Sequence, residues 1–220
     1  MELKYAVVWE RMPILLQGAW MTVEFSFYSL VLGTVFGVLF GLMRLSRNPA
    51  ANKVAALYVW AIRGSPLLVQ LYLLYFGLPQ IGVRMDPMMA GVLGMAINTG
   101  AYVSEIVRAG IMAVDKGQME AGLSVGMTPG KVMRRIIAPQ ATRISIPPLV
   151  NQFIITIKNS SLVSLITITE LMRAGDQIIQ TTFRSFETYT VVAVLYMAIN
   201  SVLMAASSRL ERGMKFGDQA

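Results

Sequence analysis

Residues 22–43, TVEFSFYSLVLGTVFGVLFGLM, contain Glu24 as their single charged side chain. About 20 predominantly apolar residues in a helix are enough to cross the hydrocarbon core of a bilayer. Within this stretch Gly33, Gly37 and Gly41 recur every four residues, so they share one helical face and allow a second helix to approach closely. The stretch therefore predicts a membrane-spanning helix that packs tightly against a neighbour.

Further apolar segments follow at residues 54–78, 87–107, 144–168 and 186–206. The RGSP sequence at 63–66 predicts a bend or a restart early in the second span. Pro87 suits the first turn of the third span, and Pro147 and Pro148 are expected to open the fourth. Only 14% of the 220 residues are charged, against roughly 25% in soluble domains. We therefore predict an all-α membrane protein with five transmembrane helices in a single domain, residues 1–220.

The distribution of Lys and Arg predicts the orientation, because loops on the cytoplasmic side collect positive charge. Five spans put the two termini on opposite sides, and one set of loops holds twelve basic residues against five in the other. The larger set comprises Arg44, Arg47, Lys53, Arg108, Lys116, Lys131, Arg134, Arg135, Arg143, Arg209, Arg212 and Lys215. The smaller set comprises Lys4, Arg11, Arg84, Arg173 and Arg184. The N-terminus is therefore predicted to be periplasmic and the C-terminus cytoplasmic.

The composition excludes several classes of function. The chain has no Cys and no His, which excludes disulfides, thiolate or imidazole metal sites, and catalysis by a His base. The 16 Met residues are interpreted as apolar packing. Cytoplasmic loops account for the net charge of +7, so nucleic-acid binding is not predicted. We predict no enzymatic activity, metal site or cofactor for this chain.

Two patterns in the largest predicted loop, residues 108–143, resemble enzyme motifs only superficially. Residues 122–126 match G-x-S-x-G, but that motif requires a preceding strand and a His partner. Residues 126–131 are one residue short of a phosphate-binding loop, and Val132 stands where that loop needs Ser or Thr. Both enzymatic interpretations are therefore rejected.

The same loop has the features of a rigid helical projection. Residues 116–125 are compatible with a helix, and Thr128 and Pro129 suit the N-cap and first position of a second short helix. Small residues at Ala121, Gly122 and Gly126 would leave room for the surface of another protein. A solvated connector is the alternative, although long loops without structure are uncommon.

Residues 120–139, EAGLSVGMTPGKVMRRIIAP, resemble the EAA loop of ABC importer permeases. That pattern reads E-A-A, three residues, G, nine residues, I, one residue, L-P. The matching positions are Glu120, Ala121, Gly126, Ile136 and Pro139. Gly122 and Ala138 depart from the pattern, since they replace its third-position alanine and its leucine.

Four other stretches are similar to signatures of the polar amino acid permeases. They are RGSPLLVQ at 63–70, AYVSEIVRAGI at 101–111, PQATR at 139–143 and KNSSLVSLI at 158–166. Together with the EAA-like loop they occur in order along nearly the whole chain. On this basis the chain is identified as a member of the family that includes the histidine, glutamine, arginine and cystine permeases.

The resemblance implies a multi-pass subunit of an importer in the bacterial inner membrane. Expected partners are a second permease subunit, identical or homologous, two ATPase subunits that bind ATP and magnesium, and a periplasmic or lipid-anchored protein that delivers a polar L-amino acid. The resemblance also implies that a coupling helix between spans three and four docks on the ATPase. The contact is assigned to Glu120, Ala121, Gly122, Gly126 and Met127.

Polar side chains inside the predicted spans suggest a path for the cargo, because such residues usually face a pore or another helix. Asn98, Tyr102 and Glu105 fall on one face of span three, and Gln152, Thr156 and Asn159 on one face of span four. The predicted path comprises Gln70, Asn98, Tyr102, Glu105, Gln152, Thr156, Lys158 and Asn159. For any one of these residues, hydrogen bonding between helices is an equal alternative.

The sequence leaves the charges on this path open. Three arrangements are open. In the first, Glu105 faces the ammonium of the cargo and Lys158 faces its carboxylate. In the second the two side chains neutralise each other, and in the third Lys158 extends to the membrane interface. A second class of function, an ion-coupled carrier or channel, would use Glu24 and Glu105 in the spans. Such carriers usually have paired inverted repeats, and none is visible here.

Overall fold

The computed structural model describes residues 3–215, and of residues 210–215 it describes the backbone alone. The side chains of Arg212 and Lys215, which entered the charge count, lie outside the described part. The α-helices are α1 (Tyr5–Trp9), α2 (Met12–Arg44), α3 (Pro49–Arg63), α4 (Leu67–Tyr72), α5 (Pro87–Met112), α6 (Lys116–Ser124), α7 (Pro129–Val132), α8 (Ala138–Asn159), α9 (Leu171–Thr182) and α10 (Ser185–Lys215). Shorter π or 3-10 turns follow α4 (Leu73–Gly77 and Leu78–Ile81), α7 (Met133–Ile137) and α8 (Ser160–Ile166).

Four helical segments of the described chain are long and apolar enough to cross a membrane. They are Met12–Arg44, Pro87–Met112, Pro129–Ile166 and Ser185–Arg209. The pair Pro49–Arg63 and Leu67–Ile81 also qualifies when its two halves are joined, and these halves meet at an angle of 103°. The predicted bend after Arg63 is confirmed, and counting the bent pair as one span gives the predicted total of five.

The closest helix packing joins α2 to α5 through the three glycines of the opening stretch. A Cβ atom added to Gly33 would lie 2.9 Å from Thr99 Cβ, and one added to Gly37 would lie 2.3 Å from Val103 Cγ1. All three glycines are buried. The prediction that this face admits a second helix is confirmed, and α5 is that helix.

We expect Gly37→Leu to destabilise the protein, because the α2–α5 contact has no room for a side chain at this position. Overpacking of a filled interior typically costs about 1–3 kcal/mol, and here even a Cβ atom meets Val103. The check is thermal unfolding of the purified protein in detergent. Val38→Leu, on the exposed side of the same helix, is the matched control. Equal melting temperatures for the two variants would contradict this account of the packing.

The break between α3 and α4 is held by a buried glutamine. Gln70 Nε2 donates hydrogen bonds to the carbonyl oxygens of Ile62 at 2.8 Å and Ser65 at 3.1 Å. Asn98 on α5 donates from Nδ2 to Gln70 Oε1 at 3.1 Å. These bonds satisfy carbonyl groups that a continuous helix would pair internally, which fixes the angle of the elbow.

The helix that carries the fourth span begins before the predicted span. Helix α7 continues through a π-helical turn directly into α8, so helical structure runs from Pro129, whereas the predicted span begins near Ile144. Pro147 and Pro148 lie inside α8, which corrects the expectation that they open the span. Membrane helices accept internal prolines because neighbouring groups satisfy the freed carbonyls. The helix of the first span likewise begins at Met12, ten residues before the predicted span.

A buried carboxylate ties three helices together beyond the end of the fourth span. Glu170 is fully buried and accepts hydrogen bonds from the Thr22 hydroxyl of α2, at 3.2 Å, and the Tyr196 hydroxyl of α10. It also caps α9 by accepting from the backbone N–H of Arg173 at 3.0 Å. Burial raises the pKa of Glu170 above the ordinary value for a glutamate. The start of α9 is therefore fixed against α2 and α10.

Candidate functional site

The loop between α5 and α8 is built around helix α6 and a tight turn. Asp115 caps α6 by accepting from the backbone N–H of Gly117 at 2.7 Å. At the other end Gly126 N–H donates to Leu123 O and Met127 N–H donates to Gly122 O, at 3.0 and 3.1 Å. This is a Schellman ending, which requires a left-handed residue after the helix. Gly126 fills that position with φ +81°.

Helix α6 packs on α7 through Gly122. A Cβ atom there would lie 2.6 Å from Val132 Cγ2, and Val132 is fully buried in a small cluster with Val114 and Ile137. Met127 packs against the same cluster. The space beside Gly122 is thus filled by this chain's own second helix. Of the residues assigned to the ATPase contact, Glu120, Ala121 and Gly126 are exposed.

Apolar side chains accompany these exposed positions on the loop. Leu123 is 43% exposed and Val125 is 76% exposed. The sequence analysis did not assign either residue to the ATPase contact, although both apolar residues lie close to Gly126 in the sequence. Together with Glu120, Ala121 and Gly126 they form a surface that we call the loop tip.

A cavity of about 490 Å³ lies between α5, α8 and the elbow of the second span. Three residues of the predicted path line it, namely Tyr102, Glu105 and Gln152, and Asn151 adds a second amide. Gln152 is only 6% exposed, and no hydrogen bond to its side-chain amide is found among residues 3–209. The cavity therefore combines a mostly apolar wall with a few polar side chains, of which the Gln152 amide is free to bond a ligand.

Two charged residues, Arg63 and Glu105, line this cavity. Glu105 pairs with Arg108 at 2.7 Å and with Arg44 at 3.5 Å. The guanidinium carbon of Arg63 lies 5.1 Å from the ring centre of Tyr102. Glu105 is thus neutralised by arginines, and not by Lys158 as one of the three predicted arrangements has it. Arg63 was missed as a site residue, although the RGSP sequence that marks the bend contains it.

The remaining residues of the predicted path do not join this cavity. Gln70 and Asn98 belong to the elbow, and buried Thr156 lies with its hydroxyl 3.3 Å from that of Thr99. Asn159 is half-buried at the end of α8. Lys158 lines a separate cavity of about 530 Å³ beside Tyr196 and Asn200 of α10. The predicted polar face therefore divides between a cavity, helix contacts and a second cavity.

No site for a metal ion is apparent in the described ranges. His and Cys do not occur in the sequence, and no three Asp or Glu side chains among the described residues come together in a way that would hold a metal.

Comparison with known proteins gives consistent matches. Residues 33–216 match the family described as the inner membrane component of binding-protein-dependent transport systems. The chain is 41% identical to the glutamine transport system permease protein GlnP of Escherichia coli K12, over 98% of this chain and 99% of that one. It is 44% identical to the L-cystine transport system permease protein TcyB of Bacillus subtilis, over 76% and 71% of the two chains.

A solved structure shares both sequence and fold. The crystal structure of an amino acid ABC transporter with histidines contains a chain 40% identical to this one, with a TM-score of 0.92 over 96% of this chain and 99% of that chain. The five ordered motifs, the helical spans and these full-length matches agree. The chain belongs to the inner-membrane components of binding-protein-dependent transport systems, among the amino acid ABC permeases.

Proposed function

We propose that this chain is the permease subunit of an ATP-driven importer for a polar L-amino acid. It would pair with an identical or homologous permease, two ATPase subunits and a separate substrate-binding protein, in the inner membrane of a bacterium. The observation that carries the proposal is the 41% identity to a glutamine permease along nearly the full length of both chains. ATP and magnesium would be bound by the ATPase, and the permease would have no catalytic activity.

The loop tip is our candidate for the contact with the ATPase. Helix α6 is braced by α7 through Gly122 and Val132, and α7 runs continuously into the fourth span. A displacement of the loop tip would therefore be passed to α8 without a flexible joint. The exposed apolar pair, Leu123 and Val125, suits a docking surface with a buried centre.

The cavity beside Tyr102, Glu105 and Gln152 is our candidate for part of the cargo path. Its volume falls within the range of small-molecule sites, roughly 300–1,000 Å³. Gln70 and Asn98 would act by holding the elbow that forms one wall. Lys158 and Asn159 would belong to a different stage of the path, since Lys158 lines the second cavity.

Uptake by purified complexes tests this proposal. The permease is co-expressed with an ATPase and a binding protein from the same organism that co-purify with it, and the complex is reconstituted in vesicles containing ATP and magnesium. Uptake of labelled L-amino acids is then measured. We expect uptake of a polar amino acid that requires both ATP and the binding protein. Uptake driven by an ion gradient without the ATPase would instead support the carrier alternative.

The proposed orientation places the loop tip in the cytoplasm and the turn around Gly82 in the periplasm. Ala50 and Val83 are both exposed, and single cysteines introduced there are labelled without background because the chain has no cysteine of its own. We expect a membrane-impermeant maleimide to label Val83→Cys in intact cells with an opened outer membrane, and Ala50→Cys only after lysis. Labelling of both variants in intact cells would contradict the orientation.

A further inference from the structure

Arg63 is a charged residue that neither the loop nor the elbow uses. It ends α3 at the break of the second span, and its side chain is exposed to the cavity beside Tyr102. Among the described residues 3–209 its guanidinium has no carboxylate partner within ion-pair distance. Within the same residues its guanidinium lies over the face of the Tyr102 ring. Its charge is therefore available to a ligand.

A charge on a membrane-spanning helix is costly unless it meets water or a partner. Arg63 ends the first half of the bent pair that qualifies as the second span. Arginines within spans usually line water-filled cavities or pathways. Arg63 does line a cavity, and the residues that line it with Arg63 include the amides of Asn151 and Gln152.

The charges around the cavity favour an anionic group. Arg63 and Glu105 line it, and two further guanidinium groups, from Arg44 and Arg108, bond Glu105 from outside the lining. Glu105 already bonds two of the three arginines, so the positive charge of Arg63 is not balanced by a carboxylate among the described residues. A planar guanidinium matches a carboxylate with two parallel hydrogen bonds. The unpaired amide of Gln152 offers an acceptor for a neighbouring ammonium group.

We propose that Arg63 binds the α-carboxylate of the transported amino acid within this cavity. The proposal rests on the proposed function and names the residue that recognises the main-chain part of the cargo in the membrane. Tyr102 holds the guanidinium from one side, and the amide oxygens of Gln152 and Asn151 accept from the ammonium group. Glu105 keeps Arg44 and Arg108 from competing for the carboxylate.

Direct binding to the permease–ATPase complex, with the binding protein left out, tests this assignment. The probe is the labelled amino acid that the parent complex imports fastest among the twenty common L-amino acids and L-cystine. Its α-carboxamide, which lacks the negative charge, is the competitor. We expect Arg63→Gln to weaken binding by about tenfold or more, because a charge-assisted bond is lost. The preference for the acid over the carboxamide should disappear in the same variant.

Two further variants keep the result interpretable. Arg63→Lys retains the charge without the paired geometry and should bind with intermediate affinity. Arg47→Gln removes an exposed loop arginine far along the chain from the cavity and should bind like the parent. If Arg63→Gln does not assemble, intermediate binding by Arg63→Lys with a reduced preference for the acid still supports the proposal.

Three outcomes overturn the assignment. One is parent-like affinity and parent-like preference in both Arg63 variants, which would reduce Arg63 to a helix-ending residue. Another is equal competition by inorganic sulfate, which would make the cavity a site for any anion. The third is binding by the parent that does not distinguish acid from carboxamide. Failure of the proposed function would be separate, since it would appear as absence of ATP-driven import by the parent complex.

Discussion

Gly126→Trp is expected to abolish transport while the permease still reaches the membrane. Gly126 has φ +81°, and the space around a Cβ atom there is empty to 4 Å. A tryptophan would therefore project outward from the loop tip without disturbing the protein's own core. If the loop tip docks on the ATPase, the added ring would hold the two proteins apart. The measurements are ATP-driven uptake and recovery of the ATPase with the tagged permease.

The backbone strain of this substitution has a matched control on the same chain. Gly82 also has a left-handed backbone, φ +87°, and no atom within 4 Å of a Cβ position. Gly82→Trp therefore carries the same strain and bulk at the turn proposed to face the periplasm. Gly126→Asn adds a third case, because asparagine tolerates this conformation. Both control variants should retain most of the transport, and loss of transport in Gly82→Trp equal to that in Gly126→Trp would remove the docking explanation.

The parts of the fold that could be predicted were those with local physical causes. Glycines spaced every four residues determine a face, so the close packing of α2 was readable before its partner α5 was known. The RGSP sequence marked the bend because proline and glycine act on their own backbone. Thr128 and Pro129 at the start of α7 are similarly local, although the Thr128 side chain makes no capping hydrogen bond. The start of α2 at Met12 was not predicted, although Pro13 occupies a first-turn position that favours a helix start.

The parts that could not be predicted depend on which distant residues meet. The role of Pro147 and Pro148 was misjudged because a membrane interior changes what an internal proline costs. Gly122 was interpreted as open surface, whereas Val132 of the next helix fills the space beside it. The partners of Glu105 come from α2 and from its own helix. Helical periodicity cannot tell whether Arg44 or Lys158 lies beside Glu105, because it says nothing about which helices are neighbours. Arg63 became a site residue only when the elbow placed it on Tyr102.

Glu105→Gln should reduce uptake per complex by about tenfold or more at limiting amino acid. The glutamine keeps the shape of the side chain but removes the charge that bonds Arg44 and Arg108. A hydrogen bond to a charged group contributes about 1.5–3 kcal/mol, so an arginine freed from Glu105 would retain the cargo carboxylate with a bond of that size, and about 1.4 kcal/mol corresponds to a factor of ten. Arg108, the closer partner, would be released toward the cavity, where it would compete with Arg63 for a carboxylate. Affinity of the isolated binding protein should not change, since it is a separate chain.

Glu24→Gln is the matched control for this result. Glu24 is the single charged residue in the 22–43 stretch, and its carboxylate accepts a hydrogen bond from the exposed hydroxyl of Tyr28 at 3.2 Å. Glu24 forms no ion pair within the described ranges, so removing the charge of Glu24 should reduce uptake less than removing the charge of Glu105. Normal uptake in Glu105→Gln together with failure of Glu24→Gln would place the cargo path on the other side of α2. Normal uptake in both would mean that the Glu105 cluster only joins α2 to α5.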